Sequence, residues 1–405
     1  MHYAVPRILQ SAGMLNALFT DLCTTKGFGR IASSLPGFLQ KGGIARLAGR
    51  TPVGVPAEKT TSFDLFGLSY ERRRRKAASQ AELMEAFLWS GRRFCELVQE
   101  NLSDDIEGIY TFNSAGLELL EAVKGRGVPG IVEQTIAPKK VEVSLLATER
   151  ERFPGWETES VAADAKASHL IDRELAEWHA ASSVICASDF VKDGIIASGG
   201  PPNRCVVVPY GADPFVPTAE VANSQRTERR RKLRVLTVGA VELRKGSPYV
   251  LEVAKRLSSD AEFRMVGSVD IAPEKAAILC EHVELTGRVS RISIREHFEW
   301  ADVFFLPSVC EGSATVTYEA FNSGLPVVCT PNTGSMVEDG SSGYLVPHGD
   351  IEQMVSRIGI LAADRDLLAQ MQTGAITRAE ACTVAAYGER LVQTIQSCFV
   401  SETAS

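Results

Sequence analysis

From residue 233 onward the chain alternates short apolar segments with helical ones. This rhythm restricts its possible folds more than any other feature. Segments 233–239 (LRVLTVG), 262–267, 283–287, 303–306 (VFFL), 325–329 and 344–346 read as strands. Segments 248–257, 293–300, 314–323, 350–363 and 365–374 read as helices. Strands that are apolar on both faces belong in a parallel sheet covered by helices on each side. The first half follows the same plan less regularly. Strands are expected at 15–22, 108–112, 128–132, 183–187 and 205–209, and helices at 79–101, 115–124, 165–181 and 189–198. Ser79 has the position of an N-cap, with Glu82 three residues on to complete a capping box.

A length of 405 residues exceeds one ordinary core and fits two domains. The expected fold class is α/β, with two Rossmann-like domains whose parallel sheets face a cleft. The boundary is expected at 209–214, and the polar stretch 216–228 reads as a linker. Residues 1–213 form the first domain and 214–383 the second. A final helix, 384–405, should cross back to complete the first. Tyr387, Leu391, Ile395 and Cys398 give it one apolar face. One feature departs from a Rossmann-like plan. The chain opens in a helix at 3–12, where a strand and a Gly-rich turn would be expected. Either that strand is absent or the chain begins late.

Composition narrows the function. A net charge of −7 argues against a nucleic-acid partner. Nine scattered cysteines form no Cys-x-x-Cys pair, and six histidines show no ligand spacing, so no metal site is expected. No apolar run has the length of a membrane span, and the N-terminus lacks a signal-peptide core. A cytoplasmic protein is expected. Two basic runs, 72–76 and 229–234, read first as solvated surface; each could also grip phosphates or an anionic membrane, the latter as a peripheral contact at the inner membrane face.

The chemistry concentrates at 302–347. The strand 303–306 is followed by the turn 307–312 and then a helix beginning near Ser313 or Ala314. Ligands in open α/β sheets bind beyond the carboxyl ends of strands, and a helix N-terminus there suits a phosphate. Small residues at Gly312, Ser313 and Ala314 would let a ligand approach the backbone. Glu311 and Glu319 flank this turn as Glu-x7-Glu, each able to accept hydrogen bonds from a vicinal diol. Earlier, Arg244-Lys245-Gly246 follows the strand 233–239, where a cation could meet a diphosphate.

VGAVELRKGSPYVLEVAKRL, LTGRV, ADVFFLPS, PSVCEGSATVTYEAFNSGLPVVCT and DGSSGYLVPHGD together resemble retaining glycosyltransferase family 4, of the GT-B fold. SSVICASDFVKDGIIASGG and VVVPYGAD resemble the segment leading to its interdomain linker. The resemblance implies transfer of a sugar from a nucleotide-diphosphate sugar, with retention and without a metal or other cofactor. The acceptor would be a glycan, a lipid or a small molecule. Lys245 would bind the diphosphate, Glu311 the transferred sugar and Glu319 the ribose. The N–H groups of Ser313, Ala314 and Thr315 would hold the distal phosphate, and the loop of Gly287, Arg288 and Val289 would lie near the base. Ala240 stands where many members carry arginine, so either Arg244 substitutes or one phosphate contact is lost. Ser313-Ala314 replaces Phe-Gly, and no histidine follows the strands ending at Phe112-Asn113 or Glu133-Gln134-Thr135. A nucleotide-sugar epimerase of the same fold and a non-catalytic accessory protein are the competing readings.

Overall fold

The computed structural model describes residues 3–26, 50–157, 167–213, 231–291 and 293–403. The expected linker 216–228 and the start of the helix expected at 165–181 lie outside the described residues. So does the start of the second basic run.

Strands β1 (Leu18–Thr20) and β2 (Thr60–Ser62) form a small parallel pair. Strands β3 (Ile109–Phe112), β4 (Gly130–Gln134), β5 (Ser183–Cys186) and β6 (Cys205–Val207) follow as a four-stranded parallel sheet in chain order. The remaining strands are β7 (Leu233–Val238), β8 (Ala261–Val266), β9 (Val283–Leu285), β10 (Val303–Leu306), β11 (Val327–Cys329) and β12 (Gly343–Leu345). They form a second parallel sheet in the order 12-11-10-7-8-9.

The helices in the first half are α1 (Ala4–Ser11), α2 (Asp64–Lys76), α3 (Gln80–Gln99), α4 (Leu117–Gly125), α5 (Lys139–Arg152), α6 (Ala167–Ala180) and α7 (Asp189–Ala197). The second half has α8 (Ser247–Arg256), α9 (Pro273–Cys280), α10 (Ile294–Trp300), α11 (Thr315–Asn322), α12 (Ile351–Ala363) and α13 (Arg365–Ala381). The last helix is α14 (Val384–Thr403). Among the described residues no helix is long and apolar enough to cross a membrane.

The apolar run of β10 is explained by its two covered faces. Val303 and Phe305 enter one core with Val235 and Val328, while Phe304 and Leu306 enter the other with Leu236 and Val327. Each fully buried side chain of this kind contributes about 1.5–3 kcal/mol. Ser79 caps α3 as its sequence implies. Its hydroxyl accepts from Glu82 N at 3.2 Å, and Glu82 Oε2 accepts from Ala78 N.

Helix α14 returns to the first sheet. Tyr387, Leu391 and Ile395 share a core with Val5, Leu9, Ile131 and Ile185. Ala212 N donates to Cys382 O, and Arg390 donates to the carbonyls of Pro209 and Tyr210, so the two chain crossings lie side by side.

Three helices have no counterpart in the sequence reading: α2, α5 and α9. The apolar residues of α5 do not form one stripe, because its far end packs on the second half. Leu146 and the following Trp156 enter the core of the second sheet. Helix α13 continues past Gly374, where a stop was expected. That glycine is a close-packing point, since a Cβ there would meet the Ser341 carbonyl.

Candidate active site

In the second sheet the chain moves outward through β7, β8 and β9, then returns to begin β10 beside β7. Order reverses between β7 and β10, and the crevice beyond their carboxyl ends is where such sheets bind ligands. The loops carrying Lys245 and Glu311 are the two that leave this point.

These loops are fastened to each other through the backbone. Gly246 adopts φ 74° and lies against the Pro307 carbonyl, leaving no room for a side chain. Val309 N donates to Arg244 O at 2.8 Å. Lys245 runs over Gly239 at the end of β7, and its Nζ reaches Glu311 Oε1 at 2.6 Å. Arg244 Nη1 meets the same oxygen at 3.1 Å, and Arg244 Nη2 lies 2.9 Å from Glu242 Oε1. Burial opposes the Arg244 charge, but Glu311 and Glu242 outweigh it and raise its pKa. Burial raises the pKa of Glu242 despite the neighbouring cations. The cluster thus holds two cations and two carboxylates, all partly buried.

The turn before α11 behaves differently from expectation in two respects. Gly312 was read as leaving room for a ligand. It instead faces the other half of the molecule, where a Cβ would collide with the Thr135 carbonyl and the Ile136 backbone. Ser188 Oγ donates to Gly312 O at 2.6 Å across the same seam. The second correction concerns Ala314. Its N–H donates to Thr333 O at 3.0 Å, because the turn 331–333 folds over the helix start, so it is not open to a phosphate. The N–H groups of Ser313 and Thr315, and that of Val316, have no acceptor among the described residues. Ser313 Oγ shares a 2.6 Å hydrogen bond with the Tyr318 hydroxyl.

Glu319 lies one turn along α11 on the face of Thr315. Its side chain has no hydrogen bond or ion pair among the described residues, and burial raises its pKa against the pull of Arg291. Val289 is half-buried beside the core that holds Tyr318 and Phe321. Its loop adjoins β8, since Gly267 N donates to Gly287 O.

The first half supplies the opposite wall, which no sequence motif marks. Glu133, next to last in β4, is almost wholly buried, accepting hydrogen bonds from the Tyr110 hydroxyl at 2.5 Å and from the Tyr210 hydroxyl. Burial raises its pKa, and both tyrosines lower it in part. Lys139 and Glu142, paired at 3.0 Å on the first turn of α5, act electrostatically on Cys310, and Glu142 on Arg244.

Glu174 and Glu177 lie on α6. Both are buried, because they fasten the loops that follow β3 and β4. Glu174 accepts from Lys139 N and Gln134 Nε2. Glu177 accepts from Ser114 N at 2.7 Å and Gly116 N at 3.0 Å. Burial pushes the Glu177 carboxyl up to about 7. A regular polar spacing on a helix looks the same whether it meets water or backbone amides. No sequence signal separated the two.

Residues 232–364 match the family described as Glycosyl transferases group 1. An uncharacterized glycosyltransferase of Haemophilus influenzae is 30% identical over 34% of this chain and 41% of its own length. The amylovoran biosynthesis glycosyltransferase AmsK of Erwinia amylovora is 29% identical over 40% of this chain and 43% of its own. The matched part therefore spans less than half of these curated relatives. Among solved structures, Anabaena Alr3699/HepE in complex with UDP and glucose shares the fold with a TM-score of 0.57 at 17% identity. It covers 95% of this chain and 100% of its own. The fold is GT-B, with two Rossmann-like halves, and the matched segment contains the Lys245–Glu311 cluster and α11.

Proposed function

We propose that this chain, whose residues 232–364 carry the Glycosyl transferases group 1 pattern on a GT-B fold, is a retaining glycosyltransferase using a nucleotide-diphosphate sugar. One observation carries the reading. Lys245 and Arg244 stand at the topological switch point of the second sheet, in one loop system with the unpaired N–H groups at the start of α11. A diphosphate between them would meet two cations and a helix N-terminus.

In this reading Lys245 and Arg244 receive the diphosphate, and Ser313 and Thr315 donate to its distal phosphate. Glu319 accepts from the ribose hydroxyls, and Val289 lies near the base. Glu311 contacts the sugar. The acceptor hydroxyl attacks the anomeric carbon from the face that the diphosphate leaves. The new C–O bond forms as the C–O bond to the diphosphate breaks, and the acceptor proton passes to a departing phosphate oxygen. Charge on the leaving group falls to Lys245 and Arg244, so this route asks for no metal or cofactor. The names of the amylovoran relative and of the UDP-bound neighbour favour a UDP-sugar donor and a glycan-bearing acceptor. Purified protein should release nucleoside diphosphate from one member of a nucleotide-sugar panel in the presence of an acceptor extract. No release from any donor would refute the reading.

A further inference from the structure

We propose that an apolar cavity in the first half holds the hydrocarbon chain of a lipid-borne acceptor, with α2 seated beside it on an anionic membrane surface. The word acceptor rests on the glycosyltransferase reading; the apolar site and the membrane contact stand on their own observations.

The cavity measures about 910 Å³, a size that suits a substantial ligand. One end touches the donor side. Thr135 and Ile136 line it there, and these are the residues against which Gly312 packs. Asn113, Lys139 and Glu142 make this end polar. The far end is aromatic. Phe66 from α2 meets Phe94 from α3 with ring centroids 5.9 Å apart, and Tyr70 meets Phe87 at 6.1 Å. This end presents mainly ring surface to a ligand. The gradient from charged to aromatic matches a molecule with a polar head near the donor and a hydrocarbon tail pointing away.

Helix α2 joins that tail end to the outside. Phe66 and Tyr70, four residues apart, face the cavity. Leu65 and Leu68, three apart, face outward with 79% and 45% of their surface exposed. Arg72, Arg73, Arg74, Arg75 and Lys76 follow, all exposed. Arg73 lies over the Trp89 ring, and Glu71 pairs with Arg74 and Arg75, leaving the helix end strongly positive in a chain of net charge −7. Exposed leucines beside a run of arginines complement an anionic bilayer, where apolar side chains enter and cations meet lipid headgroups.

The test uses the full chain and two probes. Cosedimentation with phosphatidylcholine vesicles containing phosphatidylglycerol reads the surface. Binding of a pyrene-tagged alkyl phosphate reads the cavity. Wild type should bind the anionic vesicles and not phosphatidylcholine alone. The double variant Arg72→Gln/Arg75→Gln should lose roughly thirtyfold in vesicle affinity and still bind nucleoside diphosphate. Phe87→Glu, at a position open enough to tolerate the change, should weaken the alkyl phosphate by roughly tenfold or more with an unchanged melting profile. Equal binding to both vesicle types, or equal probe binding by wild type and Phe87→Glu, overturns the proposal. A wild-type chain that binds the lipid probe and no nucleoside diphosphate overturns the glycosyltransferase reading instead.

Discussion

Lys245 Nζ lies 2.6 Å from Glu311 Oε1, and Arg244 Nη1 approaches the same oxygen at 3.1 Å. The carboxylate therefore occupies both cations. An incoming diphosphate must compete with Glu311 for them. Glu311→Gln should bind nucleoside diphosphate several-fold more tightly than wild type, as the cations are released. It should also transfer sugar more slowly, because the sugar loses its contact. Calorimetry and steady-state rates on the one variant check both arms; weaker diphosphate binding would contradict the competition.

Lys245 and Glu319 should fail differently. Lys245 meets charge that grows as the diphosphate leaves, so Lys245→Ala should lower kcat by about a hundredfold to a thousandfold, more than it weakens donor binding. Glu319 holds a ribose that does not change during reaction, so Glu319→Ala should act mainly on the donor KM. Wild-type turnover in the first variant, or an unchanged donor KM in the second, would remove the assigned role.

Gly312 is where the donor turn touches the first half. Gly312→Val places a branched side chain against Thr135 O and the Ile136 backbone, so the halves must part. Nucleoside diphosphate binding should survive, while transfer falls by about tenfold or more through lost alignment of the two substrates. Small-angle scattering should show a larger radius of gyration. An unchanged radius with unchanged kcat would show that the seam is not needed.

Glu177 gives the fold a pH dependence. Its carboxyl is raised from the ordinary 4.5 to about 7, so the folded chain holds a proton that the unfolded chain releases over that range. Its contribution is greatest below 4.5 and is lost as pH rises through 7, with a slope of at most about 1.4 kcal/mol per pH unit. Thermal melts of Glu177→Gln should have a flatter profile across this window than wild type. Parallel profiles would contradict the assignment.

Much of this site was legible because its parts follow apolar strands. VFFL and LRVLTV mark β10 and β7 by burial alone, and a parallel sheet brings their carboxyl ends together. Lys245 and Glu311 could thus be selected from sequence. What sequence could not show depends on packing between the halves. Gly312 looked like a ligand-binding glycine because a backbone pressed against Thr135 carries no local signature. Ala314 looked open because the turn that covers it comes from residues 331–333. Glu133, Glu174 and Glu177 are carboxylates whose neighbours come from distant segments, and α5 lost its periodicity by serving two cores.

A crystal structure of the chain with the nucleoside diphosphate of its working donor tests the central claim most directly. The account predicts the diphosphate beside Lys245 and Arg244 with Glu311 displaced from them. The distal phosphate should accept from the N–H groups of Ser313 and Thr315, and the ribose hydroxyls should donate to Glu319. A nucleotide bound elsewhere, or one whose ribose lies away from Glu319 while Lys245 stays paired with Glu311, would contradict it.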